Sequence, residues 1–519
     1  MNRISALTKG EEIGNYFYGS EFNYGYGETS FLGVGTYSIY KYLGFGDHVA
    51  YYFFISTVFI SSAFAVFLLA NLYTGNFLAS VFAGFAFTCS NFMFANIDDS
   101  FELWFFLAAL SVYFLKKYID SRSKLHLYLS FVLGGLQVYV NSYVFVFQTI
   151  MLSLVLICNI RKAHLLNRHF VFAAATFFSI IAPFFIWYIY VLHNFEIIDP
   201  WGSMNVISAF SLQPAHLIGV LSNNLLYKEN VLFVNYFTWV RQHAFLGGVF
   251  FLLAGIGLFH KTIKKKELLL IALGGLILAI GPQTKIGSIT IPCPMSIIYE
   301  LNPVFEFFRV PLRAFFMTSL AFSILAAMGL SMILYFLVSK GAGRVGYAIA
   351  AVVFIIHFIE NTPFPMESYN YEKYYQIPYA YSAFFKDKKN QVILDLPSYG
   401  ITSFLGSERP VYGYNREVIY MIWQTHHKQN TLNGVYGYFT KKRLEIQEDI
   451  ERLPEPDLFR KQRIDYIVYH KDKVLDDYYF NNELFYGDNY LLYAYIDKLP
   501  GMDRVYEDAN LCIIKNSMP

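Results

Sequence analysis

The chain has 519 residues, 55% of them hydrophobic and 15% charged, well short of the roughly 25% charge that a water-soluble domain carries. Its net charge of +2 gives no sign of a nucleic-acid partner, which would normally demand a basic face. The 4 cysteines (Cys89, Cys158, Cys293 and Cys512) form no CxxC pair and no metal-ligand spacing.

Met1 to Gly10 holds Arg3 and Lys9, but no apolar stretch of the signal-peptide kind follows. Residues 1–48 read as an extracytoplasmic N-terminal segment, the remnant of a first outer loop. From Val49 to Ile97 there is no Asp, Glu, Lys or Arg, enough chain to cross a hydrocarbon core of about 30 Å twice. Apolar runs predict spans near 50–70, 77–95, 103–116, 125–140, 143–160, 170–192, 243–260, 267–282, 314–338 and 345–360. The expected fold is therefore a polytopic α-helical membrane protein of about ten helices, with its transmembrane domain at 49–361. Several runs are short, which leaves room for tilted or re-entrant helices.

Basic residues orient these spans. Lys116, Lys117, Arg122 and Lys124 follow the third run, Arg161, Lys162 and Arg168 the fifth, Lys261 and Lys264 to Lys266 the seventh, and Lys340 and Arg344 the ninth. All four clusters fall on one side of the membrane, which the positive-inside rule makes cytoplasmic. Residues 362–519 then form an extracytoplasmic C-terminal domain, in which ordinary charge density returns. Gln391 to Pro397, Ile464 to His470 and Leu511 to Ile514 read as strands, and Lys442 to Arg452 as a polar helix, giving a small α/β or α+β domain.

Candidate chemistry gathers on the outer side. In Asn96-Ile-Asp98-Asp99-Ser-Phe-Glu102, a carboxylate is placed to take a proton from an acceptor hydroxyl. The same spacing from Asp99 to Glu102 also fits a helix cap. Before the ninth run, Glu306, Arg309, Pro311 and Arg313 set two guanidiniums at a helix start, a plausible phosphate site or a pair for lipid headgroups and Glu306. Trp239, Arg241 and His243 end the long outer loop, where interfacial anchoring competes with phosphate binding by Arg241. Gln137, Asn141 and Gln148 are expected to hydrogen-bond between helices, and His357 and Glu360 to snorkel or cap. His426 and His427, read as strand neighbours, would face opposite ways and hold no metal. No GxxxxGK[ST] or GxGxxG signature occurs, so a lipid-linked donor fits better than a nucleotide.

The stretch Ile291-Pro-Cys-Pro-Met-Ser-Ile-Ile-Tyr-Glu-Leu-Asn-Pro-Val-Phe-Glu-Phe-Phe-Arg-Val-Pro-Leu-Arg resembles a PLPY…LL…P…FRxPxR segment of bacterial GT-C-type integral-membrane glycosyltransferases, especially YfhO-like and related members. Phe87-Thr-Cys-Ser-Asn-Phe-Met-Phe, Gln137-Val-Tyr-Val-Asn-Ser-Tyr-Val, the Tyr420 to Gly437 pattern and Ile464-Asp-Tyr-Ile-Val-Tyr-His are similar to other parts of these proteins. The resemblance implies many membrane helices with an outer active site, a polyprenyl-phosphate sugar donor, and a cell-envelope glycan or glycolipid acceptor. It also implies an outer-loop carboxylate as base and cationic residues holding the lipid phosphate. No cofactor is expected, and a divalent metal stays open as an alternative that no ligand cluster in the sequence supports.

Such enzymes begin with a membrane helix and a first outer loop carrying a key acid. Here the chain opens near Gly10-Glu11-Glu12, so the expectation is a truncated start, a substitute role for Glu11 or Glu12, or a lost activity. The leading expectation is inverting hexosyl or pentosyl transfer, with Asp98 as base, Asp99 and Glu12 as further candidates, and Arg309, Arg313 and Arg241 on phosphate. A lipid or glycolipid flippase or transporter would show pseudo-repeated halves, and none is evident. A non-catalytic envelope scaffold is the third reading.

Overall fold

The computed structural model describes residues 30–97, 104–163, 167–194, 197–198, 207–208, 210–220, 224–227, 243–260, 265–286, 289–301, 310–364, 378–396, 420, 423–424, 427–433, 439–440, 445–446, 456–471 and 496–518. The chain divides into two units: Glu28–Ile189 with Trp201–Glu367, and Met1–Gly27 with Tyr190–Pro200 and Ser368–Pro519.

The first unit is helical. It contains α1 (Phe31–Tyr42), α2 (Asp47–Thr74), α3 (Phe77–Thr88), α4 (Asn91–Ala95), α5 (Phe106–Ser121), α6 (Lys124–Leu136) and α7 (Ser142–Cys158). The long α8 (Arg168–Asn194) begins in this unit. After it come α9 (Gly248–Gly257), α10 (Lys265–Ile280) and α11 (Pro294–Leu301), with a hairpin of Gln283–Ile286 and Ile289–Pro292 between the last two. A 3₁₀ turn, Pro311–Ala314, opens α12 (Phe315–Ser339), and α13 (Gly343–Asn361) follows. Side-chain caps mark several starts. Asn76, Ser90 and Asn141 accept from the backbone N–H groups of Ala79, Met93 and Val144, satisfying donors that the first turn leaves free.

Among the described residues five helices are long and apolar enough to cross a bilayer, by length and composition: His48–Thr74, Phe77–Ala95, Arg168–Tyr190, Pro311–Ser339 and Gly343–Asn361. This is the architecture of a helical membrane protein. The run expected at 77–95 is interrupted at Cys89, where Ser90 caps a second short helix. The run expected at 243–260 yields only the 10 residues of α9, about 15 Å of helix against a core of about 30 Å. Gly247, at φ 98°, holds a left-handed backbone that stops the helix from extending upstream. The segment read as loop at 1–48 contains α1, whose Tyr40 stacks on Phe53 of α2 and bonds Thr57.

Helix α12 is apolar all round, and between Phe315 and Ser331 every residue except Phe322 is buried. Small residues let its neighbours approach. A Cβ on Gly329 would run into the Leu253 carbonyl of α9, and one on Gly257 into the Leu325 carbonyl, so the two backbones touch through a pair of glycines.

Two contact clusters fix helix directions. At one end of the bundle Tyr73 of α2, Lys116 of α5 and Asn159 after α7 meet Glu267 in the first turn of α10. At the other end, Phe105 just before α5 stacks on Phe316, and Tyr143 at the start of α7 lies under Arg313. Thus α5 and α7 run in the same direction, as the basic-loop pattern assumes for these two helices.

The second unit holds a five-stranded sheet. Its strands are β1 (Val392–Leu396), β2 (Asn430–Thr431), β3 (Tyr466–His470), β4 (Met502–Glu507) and β5 (Leu511–Asn516), in the spatial order β2-β1-β3-β5-β4. The first three in that order run parallel, and β5 and β4 add antiparallel strands. All five residues of β1 are buried. Val392, Leu394 and Leu396 enter one core with Ile467 and Ile514, while Ile393 enters another with Val468 and Ile513, the period-two alternation of a sheet covered on both faces. The short helices Tyr379–Phe385 and Pro456–Lys461 each bring a phenylalanine, Phe385 and Phe459, to opposite faces. A separate two-residue ladder joins Ile197–Ile198 to Phe439–Thr440. Only 445–446 of the helix expected at Lys442 to Arg452 lies within the described residues, and both are helical.

Candidate functional site

The 3₁₀ turn at Pro311 is where sequence and geometry meet most directly. Proline fixes the first helical φ and lacks the N–H that would go unpaired there. Arg313 follows within the turn, with its guanidinium 4.6 Å from the centroid of the Tyr143 ring, a cation–π distance that restrains the cation. Tyr143 is itself held at the capped start of α7, where Asn141 accepts from Val144 N–H at 2.9 Å.

The described residues on either side of 98–103 lie against the same helix start. Phe92 packs its ring on Phe315, and Phe105 stacks on Phe316 with centroids 4.1 Å apart. The starts of α5, α7 and α12 therefore gather at one end of the bundle, where their positive dipole ends favour anions. Of the sequence-predicted site residues, Arg313 is in this group. Asp98, Asp99, Glu12, Arg309 and Arg241 lie outside the described residues, as do Glu11, Glu102, Glu306 and Trp239.

The intramembrane polar residues divide. Gln148 donates to Ser111 at 3.4 Å, between α7 and α5, and Gln137 donates to the Trp104 carbonyl at 3.5 Å. Asn141 caps its own helix as well. His243 is buried within the protein. The backbone N–H of the next residue, Ala244, donates to the carbonyl of His216 at 3.0 Å. His216 is fully buried, and loss of water pushes its pKa down to about 4.

Glu360 does not snorkel, and it caps a helix other than its own. Its Oε1 accepts from Tyr227 O–H at 2.8 Å and Gly248 N–H at 3.1 Å, and its Oε2 from Val249 N–H at 3.2 Å. A carboxylate at the start of α9 meets both the free N–H groups and the positive dipole end. Burial and this carboxylate raise the Tyr227 phenol above its usual range. Asn361 beside it accepts from the backbone and side chain of Asn91 and donates to the His357 carbonyl, while Asn224 donates to the Glu360 carbonyl at 2.7 Å. This cluster joins α4, α13 and the start of α9. Its carboxylate is occupied by three donors, which suits a structural joint better than a base.

A second polar group lies in the sheet unit. Asp395 ends the buried strand β1 and His470 ends β3, neighbouring parallel strands. Asp395 Oδ1 accepts from Tyr381 O–H and bonds His470 Nε2, each at 2.8 Å. Burial and the Asp395 carboxylate raise the Tyr381 phenol well above its usual range. His427 is not on a strand. It precedes β2, and its Nδ1 accepts from Gln429 N–H, which leaves Nε2–H to donate to the Tyr381 oxygen at 3.2 Å. Among the described residues no three His, Cys, Asp or Glu side chains gather as a metal-holding group. The 4 cysteines are free thiols. No protein-family model and no curated protein matches the chain.

The sequence reading missed Glu267, Tyr73, Asn159, Asn361 and Asp395. A signal was present for two of them. Glu267 is the only acid opening an otherwise apolar run, and Asp395 is the only charge within Val-Ile-Leu-Asp-Leu. The others are ordinary residues whose importance arises only from long-range contact.

Proposed function

We propose that the chain is a membrane glycosyltransferase of the GT-C type or a relative of it. It transfers a sugar from a polyprenyl-phosphate donor to a cell-envelope glycan or glycolipid at the outer face of the membrane. In this reading about ten helical segments form the membrane domain, several of them too short to cross alone, and residues 362–519 form an extracytoplasmic domain. The observation that carries it is the position of Arg313. A guanidinium held by an aromatic ring, at an end of the bundle where three helix starts gather, suits the phosphate of a lipid-linked donor. Arg309 and Arg241 are assigned to the same phosphate, and Asp98, then Asp99 or Glu12, to proton removal from the acceptor hydroxyl. Membrane lipids are its solvent and donor source.

The test uses membranes carrying the full chain and a radiolabelled sugar on undecaprenyl phosphate. Arg313→Ala is expected to lower transfer by about 100-fold at unchanged expression, and Arg313→Lys by less, because the ammonium keeps the charge but loses the planar fork. Full transfer by Arg313→Ala removes the phosphate assignment, and full transfer by both Asp98→Ala and Asp99→Ala removes those bases. A flippase is the second reading. Donor movement across vesicles without sugar transfer would select it, whereas an inert chain that still binds an envelope partner would select the scaffold.

A further inference from the structure

Lys116 was expected to be one of the cytoplasmic loop charges. It is instead inside α5, 1% exposed, with its ammonium 2.6 Å from Glu267 Oε1. The Glu267 side chain is 3% exposed. Tyr73 donates to the same Oε1 at 2.7 Å, and Asn159 donates to Oε2 at 2.9 Å. The ammonium also stands 5.7 Å from the Tyr73 ring centroid. Both carboxylate oxygens are therefore engaged, and the pair is electrically neutral. That distinguishes it from a substrate or ion site, which would leave coordinating capacity open.

We propose that this quartet is an assembly clamp, a device that commits four helices to one arrangement once α10 is in place. The contacts join distant parts of the chain: Tyr73 and Glu267 are 194 residues apart, and Asn159 and Glu267 are 108 apart. Until α10 arrives, α5 carries an unpaired cation on the face that packs against its neighbours. Until it meets α5, α10 carries an unpaired carboxylate. Burying either alone costs several kcal/mol, whereas burying both together costs far less. Glu267 also stands in the first turn of α10, where the helix dipole favours a negative charge. The clamp thus penalises arrangements in which α2, α5, α7 and α10 pack without one another. This use of a buried pair concerns specificity more than net stability. It is independent of what the protein catalyses.

The test is a double-mutant cycle on the full chain in detergent, read as the folded monodisperse fraction by size-exclusion chromatography before and after heating. Lys116→Met leaves a buried carboxylate, and Glu267→Gln leaves a buried ammonium. Each is expected to lower the folded fraction by roughly tenfold or more. Lys116→Met with Glu267→Gln is neutral, keeps an acceptor for Tyr73, and is expected to recover most of the loss. Recovery supports the clamp even if neither single variant folds. Two results overturn it: single variants that match the parent chain, or a double variant no better than the worse single one.

Discussion

Both units bury carboxylates, and Glu267 of the helical unit and Asp395 of the sheet unit are compensated differently. In the helical unit Glu267 is matched by a full cation and by hydrogen bonds to both oxygens. In the sheet unit Asp395 is fully buried as well, yet Oδ1 takes the contacts from both Tyr381 and His470, and Oδ2 is buried without a partner among the described residues. The first arrangement sets a lysine ammonium against the carboxylate, and the second a phenol and an imidazole. The helical unit uses both solutions, since Glu267 meets a cation while Glu360 is held by a phenol and two backbone N–H groups. In the sheet unit one hydroxyl and one imidazole hold the carboxylate in place.

The largest effects should fall where compensation is charge for charge. Glu267→Gln strands an ammonium, while Asp395→Asn keeps an acceptor for Tyr381 and strands no cation. The expected costs are about 3–5 kcal/mol for Glu267→Gln and about 1 kcal/mol for Asp395→Asn. Asp395→Ala, which leaves both Tyr381 and His470 without their acceptor, should lie between them at about 2–3 kcal/mol. Thermal unfolding of the purified full chain ranks the three. If Asp395→Asn costs as much as Glu267→Gln, His470 is acting as a cation and the contrast between the units fails.

Glu360 lies between these cases, since its partners are neutral but include two backbone donors of a helix start. Glu360→Ala is expected to cost about 1–3 kcal/mol, the range for losing a cap and leaving buried donors unpaired. Glu360→Gln should recover part of that cost, because an amide oxygen still accepts one or two of the three bonds. The measurement is the same heating midpoint. An Ala variant as stable as the parent would mean that water replaces the carboxylate and that the joint is not closed.

The pH response of His216 is weaker but has a definite sign. Burial depresses its pKa to about 4 from a usual value of 6.5, so the folded form holds it neutral. Such a group contributes stability that is fully present above pH 6.5 and is lost as pH falls toward 4. Acidification from pH 7 to pH 5 should therefore lower the heating midpoint, and His216→Gln should flatten that slope. An unchanged slope in the variant would assign the acid sensitivity to other groups.

How much of this was legible beforehand depends on the range of the interaction. Membrane character, most helix positions and the strands at Val392–Leu396 and Tyr466–His470 follow from runs a few residues long. Pro311 marked its helix start because the proline effect is local. The short length of α9 was not legible, since an apolar run is the same whether it crosses the membrane or stops inside the protein, and the φ of Gly247 depends on its surroundings. Lys116 was misread for a related reason. A lysine at the end of an apolar run satisfies the loop pattern equally well whether water or Glu267 receives it. The candidate site shows the same limit. Arg313 could be placed by its helix, but its stacking partner Tyr143 comes from another part of the chain.

The smallest effect is expected where charges are most numerous. On the exposed edge of the sheet unit Arg504 bonds Asp497 at 2.7 Å and also pairs with Glu507, which in turn pairs with Lys471. Hydrogen bonding to Lys471 is the leading cause that holds the Glu507 carboxyl below its usual range. Water and salt screen such pairs, and the long side chains lose freedom on meeting. Arg504→Ala should leave the heating midpoint within experimental error, and adding salt should not separate the variant from the parent. The sign of any residue of stability is fixed by the depressed carboxyl: it is present above the usual pKa of 4.5 and lost as pH falls below it. A loss comparable to that of Asp395→Asn would show that number and geometry of charges, rather than their burial, set the cost in this protein.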